Sequence, residues 1–90
     1  MRNIEWKSEA GRQPTKKLLR EASELAKPDS DDCVVVAMAL RPEGVTQHEV
    51  MALFGHPHRN KLKKLVHDNK VRKYVLPDGS RATRIRLVRR

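Results

Sequence analysis

Residues 45–69, VTQHEVMALFGHPHRNKLKKLVHDN, read as two helices joined by a glycine turn, and the rest of the chain is placed by what supports them. Thr46 is a good N-cap, and Glu49 three residues later completes a capping box, in which each side chain satisfies a backbone amide of the other. Val45 and Val50 form a hydrophobic staple across that start. Val50, Leu53 and Phe54 recur at i, i+3 and i+4, so one face is apolar, with Met51 beside it and Gln47 and His48 pointing away. Gly55 ends the helix because a C-cap needs a left-handed residue. Pro57 then suits the first turn of a second helix, from Pro57 to Asn69, which buries Leu62, Leu65 and Val66.

Ninety residues suit one domain with one modest core. The formal charge of +9 is unevenly spread. Residues 1–29 carry seven Lys/Arg against five Asp/Glu, residues 30–55 one against four, and residues 56–90 twelve against two. An excess of that size, beginning at the second helix, is what a polyanion-binding surface requires, although a solvated, solubilising face has the same composition. Cys33 is the only cysteine and sits in Cys33-Val34-Val35-Val36, so it reads as a small buried hydrophobe in a reducing compartment. No apolar run is long enough to cross a membrane, and the start MRNIEWKSEAGRQ lacks the apolar centre of a secretory signal. A cytoplasmic protein is expected, nucleoid-associated if bacterial.

Taken in order, residues 1–13 read as a flexible basic and polar arm with Ile4 and Trp6 as its apolar anchors. Trp6 fits packing on the domain's own surface or a partner contact. Residues 14–27 form an accessory helix, opened by Pro14 and Thr15 and running to about Ala26, with Leu18, Leu19, Ala22, Leu25 and Ala26 at helical spacing. Residues 30–90 are the main domain. Ser30, Asp31 and Asp32 supply a cap and an acidic first turn. In the next run, CVVVAMAL, the valines favour a strand and the cap favours a helix. Eight apolar residues without alternation, stopped by Arg41-Pro42-Glu43-Gly44, decide for a helix, the most buried of the set. After residue 70, Val71 to Leu76 lead into the turn Pro77-Asp78-Gly79-Ser80. The return alternates, with Thr83, Ile85 and Leu87 on one face and Arg84 and Arg86 on the other, which gives a basic hairpin over residues 71–88.

This order of helix, capped helix, glycine turn, basic helix and basic hairpin resembles a winged helix-turn-helix DNA-binding domain over roughly residues 30–88. The resemblance rests on the Thr-x-x-Glu start, Gly55, Leu62, Leu65 and the Pro-Asp-Gly tip. One departure is that His56 and Lys61 stand where such units place apolar residues after the turn glycine; Leu62 then takes the inner slot, after a turn lengthened by one residue through His56-Pro57-His58. The resemblance implies a mainly α fold with a small β-hairpin: a three-helix core plus a C-terminal wing, with an extra N-terminal helix. It further implies double-stranded DNA binding by a small transcriptional regulator, with helix 57–69 in the major groove and the hairpin on the backbone or minor groove.

The residues lead to the same surface. At 100° per residue, with Leu62, Leu65 and Val66 inward, Asn60, Lys63, Lys64 and His67 point outward and Arg59 and Lys61 flank them. Arg59 suits a bidentate contact to guanine and Asn60 one to adenine; with Lys63 they form the base-reading set. Phosphate contacts fall to Lys61, Lys64, Lys70, Lys73, Arg81, Arg84 and Arg86, with His56, His58 and His67 adding further bonds. Arg81 is the wing-tip residue placed to enter a minor groove. One cysteine and four histidines without an i, i+4 pair lack the spacing of a zinc site, so no metal or other cofactor is expected. No nucleophile–base pattern or glycine-rich phosphate loop points to an enzyme. The alternative function is a winged-helix module for protein–protein interaction or structured RNA binding. Three aromatics are too few for a base-stacking platform. A homodimer would form through residues 1–27.

Overall fold

Ser30 starts the helix on which the other elements pack. The structure is a computed structural model that describes residues 5–88, and in it α2 spans Asp31–Leu40. The Ser30 hydroxyl accepts the Cys33 amide at 3.1 Å, and Asp31 and Asp32 occupy the first turn, where the helix dipole favours negative charge. Every residue from Cys33 to Leu40 is buried. A helix enclosed on all sides needs no amphipathic period, which is why the valine run carries no alternation. Pro42 excludes the helical conformation from Arg41, which turns extended (φ −63°, ψ 152°) and ends α2.

Before it, α1 covers Lys16–Ala22, with the Thr15 hydroxyl accepting the Leu18 amide at 3.3 Å. It is shorter than the helix expected to Ala26. The Ser23 hydroxyl donates to the Arg20 carbonyl at 2.6 Å, a local bond that competes with helix continuation. From there the chain proceeds in turns, with the Leu25 and Ala26 amides both bonded to the Ala22 carbonyl. Ala22 and Ala26 are buried, and α1 lies along α2.

The capped helix, α3, spans Gln47–Phe54 and carries the full capping box: Thr46 Oγ1 accepts the Glu49 amide at 3.0 Å, and Glu49 Oε1 accepts the Thr46 amide at 2.9 Å. Gly55 closes it in the left-handed conformation (φ 77°), its amide donating to the Met51 carbonyl. The next helix, α4, spans Arg59–His67, shorter at both ends than expected. Pro57 lies outside its first turn, and His58 is the cap residue, without a side-chain cap bond. At the other end Asn69 adopts φ 60°, the Lys70 amide reaches the Leu65 carbonyl at 3.0 Å and the Asn69 amide reaches Val66 at 3.1 Å. That pair of bonds is a Schellman motif, with asparagine in the role glycine usually takes.

Strands β1 (Val71–Tyr74) and β2 (Arg84–Leu87) pair antiparallel, Val71 opposite Leu87 and Tyr74 opposite Arg84. Val45 adds an isolated bridge on the other side of β2, exchanging both backbone bonds with Thr83 at 2.8 and 2.7 Å. Gly44, at φ 69°, makes this possible, since a Cβ there would lie 2.6 Å from the Thr83 carbonyl oxygen. The chain turns at Leu76-Pro77-Asp78-Gly79, where the Gly79 amide donates to the Leu76 carbonyl and Asp78 Oδ1 accepts the Ser80 amide. Val75 and Leu76 leave the strand; Leu76 is buried, whereas Val75 is 94% exposed.

The described residues thus form a mainly helical fold of four α-helices with a two-stranded antiparallel hairpin. β2 packs beside α2, and β1 beside α4. Ile85, Val71, Leu62 and Leu65 join the α2 residues in one core. Among the described residues no helix is long and apolar enough to cross a membrane.

Residues 5–13, read from sequence as a flexible arm, lie against α3 through a short 3-10 turn at Ser8–Ala10. Ala10 is fully buried, and Trp6 packs half-buried on the core. Ile4 lies outside the described residues. The anchor is Arg41, missed as a structural residue. It is 1% exposed, and its guanidinium donates to the Met38, Gly44 and Arg12 carbonyls and, at 2.9 Å, to Glu49 Oε2. Glu49 therefore caps α3 with one oxygen and holds Arg41 with the other.

Candidate nucleic-acid interface

The roll of α4 is set by Leu62 and Leu65, which are buried, and by Val66, which is half-buried. Leu62 takes the inner slot and Lys61 is half-buried. Arg59, Asn60, Lys63, Lys64 and His67 are left exposed. Successive steps of four place Arg59, Lys63 and His67 in one stripe along the helix. The stripe forms one wall of a cleft of about 390 Å³, with Leu62 and Val66 also lining it and Lys73 of β1 and Thr83 across from it. A second cleft of about 220 Å³ shares Arg59, Leu62 and Thr83 with the first and reaches Arg81, Pro57 and the start of α3 at Thr46 and Gln47. The two make a continuous groove, and Arg59 stands where they meet.

The expected site residues therefore divide. Arg59, Lys63, His67, Lys73 and Arg81 line the groove, and His58 lines its second cleft. Asn60 and Lys64 lie exposed on the adjoining stripe of α4, and Lys70 is exposed just past its end. His56 is exposed, its ring centroid 4.3 Å from that of His58. His58, assigned from sequence to phosphate, is turned inward: its side chain is 13% exposed, its Nδ1 lies 3.3 Å from Asp32 Oδ1, and the Phe54 ring meets it edge-on. The carboxylate of Asp32, 26 positions earlier, draws it there. Arg84 and Arg86 are not brought together with the groove. Lys73 and Thr83 face α4, so alternation turns Arg72, Tyr74, Arg84 and Arg86 to the other side of the hairpin. Arg72, opposite Arg86 in the register, was left out of the sequence-based set. Counting alternate positions from buried Val71 was the signal that could have found it.

The ion pairs among the described residues are Arg12–Glu43, Arg41–Glu43, Arg41–Glu49 and His58–Asp32. No lysine or arginine of α4 or the hairpin joins one, so the groove presents cations to solvent without a neutralising carboxylate. Helix geometry and unpaired charge together make a surface able to hold phosphates at several points.

Other chemistries find less support. Cys33 is buried with its Sγ 3.8 Å from the Leu19 carbonyl oxygen. Burial, followed by the negative charge of Asp29, pushes its thiol above the ordinary cysteine range, away from the reactive thiolate. Among the described residues no three His, Cys, Asp or Glu side chains gather as metal ligands would. No family model, no curated protein and no solved structure matches this chain.

Proposed function

We propose that the chain is a winged helix-turn-helix domain that binds double-stranded DNA as a small transcriptional regulator, with α4 in the major groove and the hairpin tip on the backbone or minor groove. The order of elements supports the reading, as does the bridge that ties Val45, just before α3, to the hairpin at Thr83. The observation that carries it is the stripe Arg59, Lys63 and His67 on the open side of α4, continued by Lys73 and Arg81 across the groove and unpaired with any carboxylate among the described residues. Arg59 and Asn60, in the first turn of α4, reach furthest into a groove and read bases, guanine and adenine respectively, with Lys63 beside them. Lys61, Lys64, His67, Lys70, Lys73, Arg81 and exposed His56 serve phosphates, positioning the helix without reading sequence. Tyr74 faces away from this surface, so the groove has no aromatic platform for unpaired bases.

Filter binding of random duplex DNA across a salt series tests the proposal. About five phosphate contacts give a log–log slope near −4.5, a loss of roughly 500-fold in affinity between 50 and 200 mM salt. Absence of binding at low salt overturns it, and tighter binding to duplex RNA moves the function to structured RNA.

A further inference from the structure

We propose that the hairpin face turned away from α4, formed by Arg72, Tyr74, Arg84 and Arg86, is a second phosphate-binding surface that takes a second DNA duplex, so that one copy of the chain bridges two duplexes. The inference rests on the DNA-binding reading of the α4 groove and adds a separate face to it.

The register makes the placement unambiguous. Ile85 is fully buried and Val71 nearly so, which fixes the inner face of both strands. Arg72 then stands opposite Arg86, and Tyr74 opposite Arg84, on the outer face. Like charges directly opposed on a sheet destabilise it, so the Arg72–Arg86 pair is not there to hold the hairpin together. Arg86 is held in place instead by Tyr74, its guanidinium carbon 5.1 Å from the ring centroid, a cation–π contact that leaves its N–H groups available to an acceptor. Arg84 is half-buried, and its Nε is a buried donor without a hydrogen-bond partner among the described residues. None of the three arginines pairs with a carboxylate among the described residues. Asp68 and Asp78 are the only acids after residue 55, and Asp78 is occupied in the turn by the Ser80 amide.

Three guanidiniums on a short ribbon suit the backbone of a polyanion, since arginine forks match phosphate oxygens in pairs. They cannot serve the duplex that lies in the α4 groove. Side chains on opposite faces of one sheet diverge, so a straight duplex against Lys73 and α4 lies on the side away from Arg72 and Arg86. The face is therefore left to another segment. Tyr74, 37% exposed between Arg84 and Arg86, is covered in part by the guanidinium above it, which suits backbone contact better than base stacking.

The test uses the full chain and two duplexes, one immobilised and one fluorescent, with single-duplex affinity measured in parallel. The wild-type chain captures the fluorescent duplex on the immobilised one. Arg72→Gln/Arg86→Gln keeps single-duplex affinity within about twofold and loses capture by about 60-fold at 0.1 M salt, the effect of two lost phosphate contacts. Arg72→Lys/Arg86→Lys, which keeps the charge, restores most of the capture. The glutamine variant relieves the opposed like charges and gives up the Arg86–Tyr74 contact, effects of similar size and opposite sign, so it should melt close to wild type. Capture undiminished in the glutamine variant overturns the inference, since bridging then arises elsewhere, for instance through a dimer. A fall in single-duplex affinity equal to the fall in capture also overturns it, by assigning this face to the first duplex and leaving the α4 reading intact. If the wild-type chain binds no duplex at all, both readings fail, and the single-duplex measurement alone reveals that.

Discussion

Replacing Arg41 by methionine tests the device that joins the N-terminal segment, the end of α2 and the start of α3. The guanidinium is 1% exposed and serves the Met38, Gly44 and Arg12 carbonyls together with Glu49, whose side chain is 15% exposed. Methionine fills much of the space and offers no donor. Leaving one member of a buried ion pair without its partner typically costs about 3–5 kcal/mol, and water access to Glu49 places this case near the lower figure. A domain of this length has a total stability of about 5–13 kcal/mol, so the variant remains folded with a small margin. At about 4–8 °C per kcal/mol, the melting temperature falls by about 12–24 °C. Thermal unfolding followed by circular dichroism measures this, with Glu49→Gln and the double variant completing a cycle. Glutamine keeps an oxygen for the Thr46 amide but turns an NH2 donor toward Arg41, so the single variant loses the ion pair and gains a donor–donor contact, and the cycle should show a coupling of about 1 kcal/mol or more. A single variant that melts within about 2–4 °C of wild type, or strictly additive effects, would refute the assignment of Arg41 as the anchor.

Arg59→Ala should cost about 1–3 kcal/mol on the preferred sequence and relax discrimination, whereas Lys64→Ala should weaken all sequences alike and reduce the salt slope by about one; titrations on selected and random duplexes separate them, and equal losses for both would sink the base-reading role of Arg59. Gly44→Ala should destabilise by about 2–4 kcal/mol, combining left-handed strain with overpacking against the Thr83 carbonyl, and a melting curve matching wild type would show that the Val45–Thr83 bridge is not as tight as described. The raised Cys33 thiol should react with a thiol reagent far more slowly in the native chain than in denaturant. Because the unfolded thiol ionises first, at a pH of about 8.5, the native state binds more protons above that pH and stability declines as pH rises through the window up to the native pKa; a Cys33→Ala chain with the same alkaline decline would assign it to another group.

What was legible in the sequence was what short-range chemistry decides. The Thr46–Glu49 box, the Ser30 cap and the Gly55 terminus each involve residues within a few positions, and each forms with the partners its spacing predicts. The open face of α4 could be derived from Leu62 and Leu65 because helix geometry propagates orientation along the element. The errors lie where a distant group wins. Arg41 looked like part of a helix stop, yet its carbonyl partner at Arg12 is 29 positions away. His58 lines the second cleft, but its pairing with Asp32, 26 positions earlier, was not legible in the sequence. The end of α1 was missed for a local reason, the Ser23 hydroxyl competing for a helix carbonyl. The Arg72–Arg86 juxtaposition needs the register, which the connection over residues 75–83 leaves open in sequence.

The chain uses arginine in two opposite ways, and the contrast bears on function. Arg41 is enclosed, and its donors find fixed acceptors within the protein. A group so placed is screened little by salt, and its contribution belongs to folding. Arg59, Arg72 and Arg86 are exposed, with no carboxylate partner among the described residues, and two of them face each other across the hairpin. Here the acids lie mainly in the segment before residue 56, while the cations of α4 and the hairpin stand together after it. Their mutual repulsion weakens the free chain slightly, and under the DNA-binding proposal phosphates settling among them would relieve it, so that the energy withheld from the fold would become available to binding.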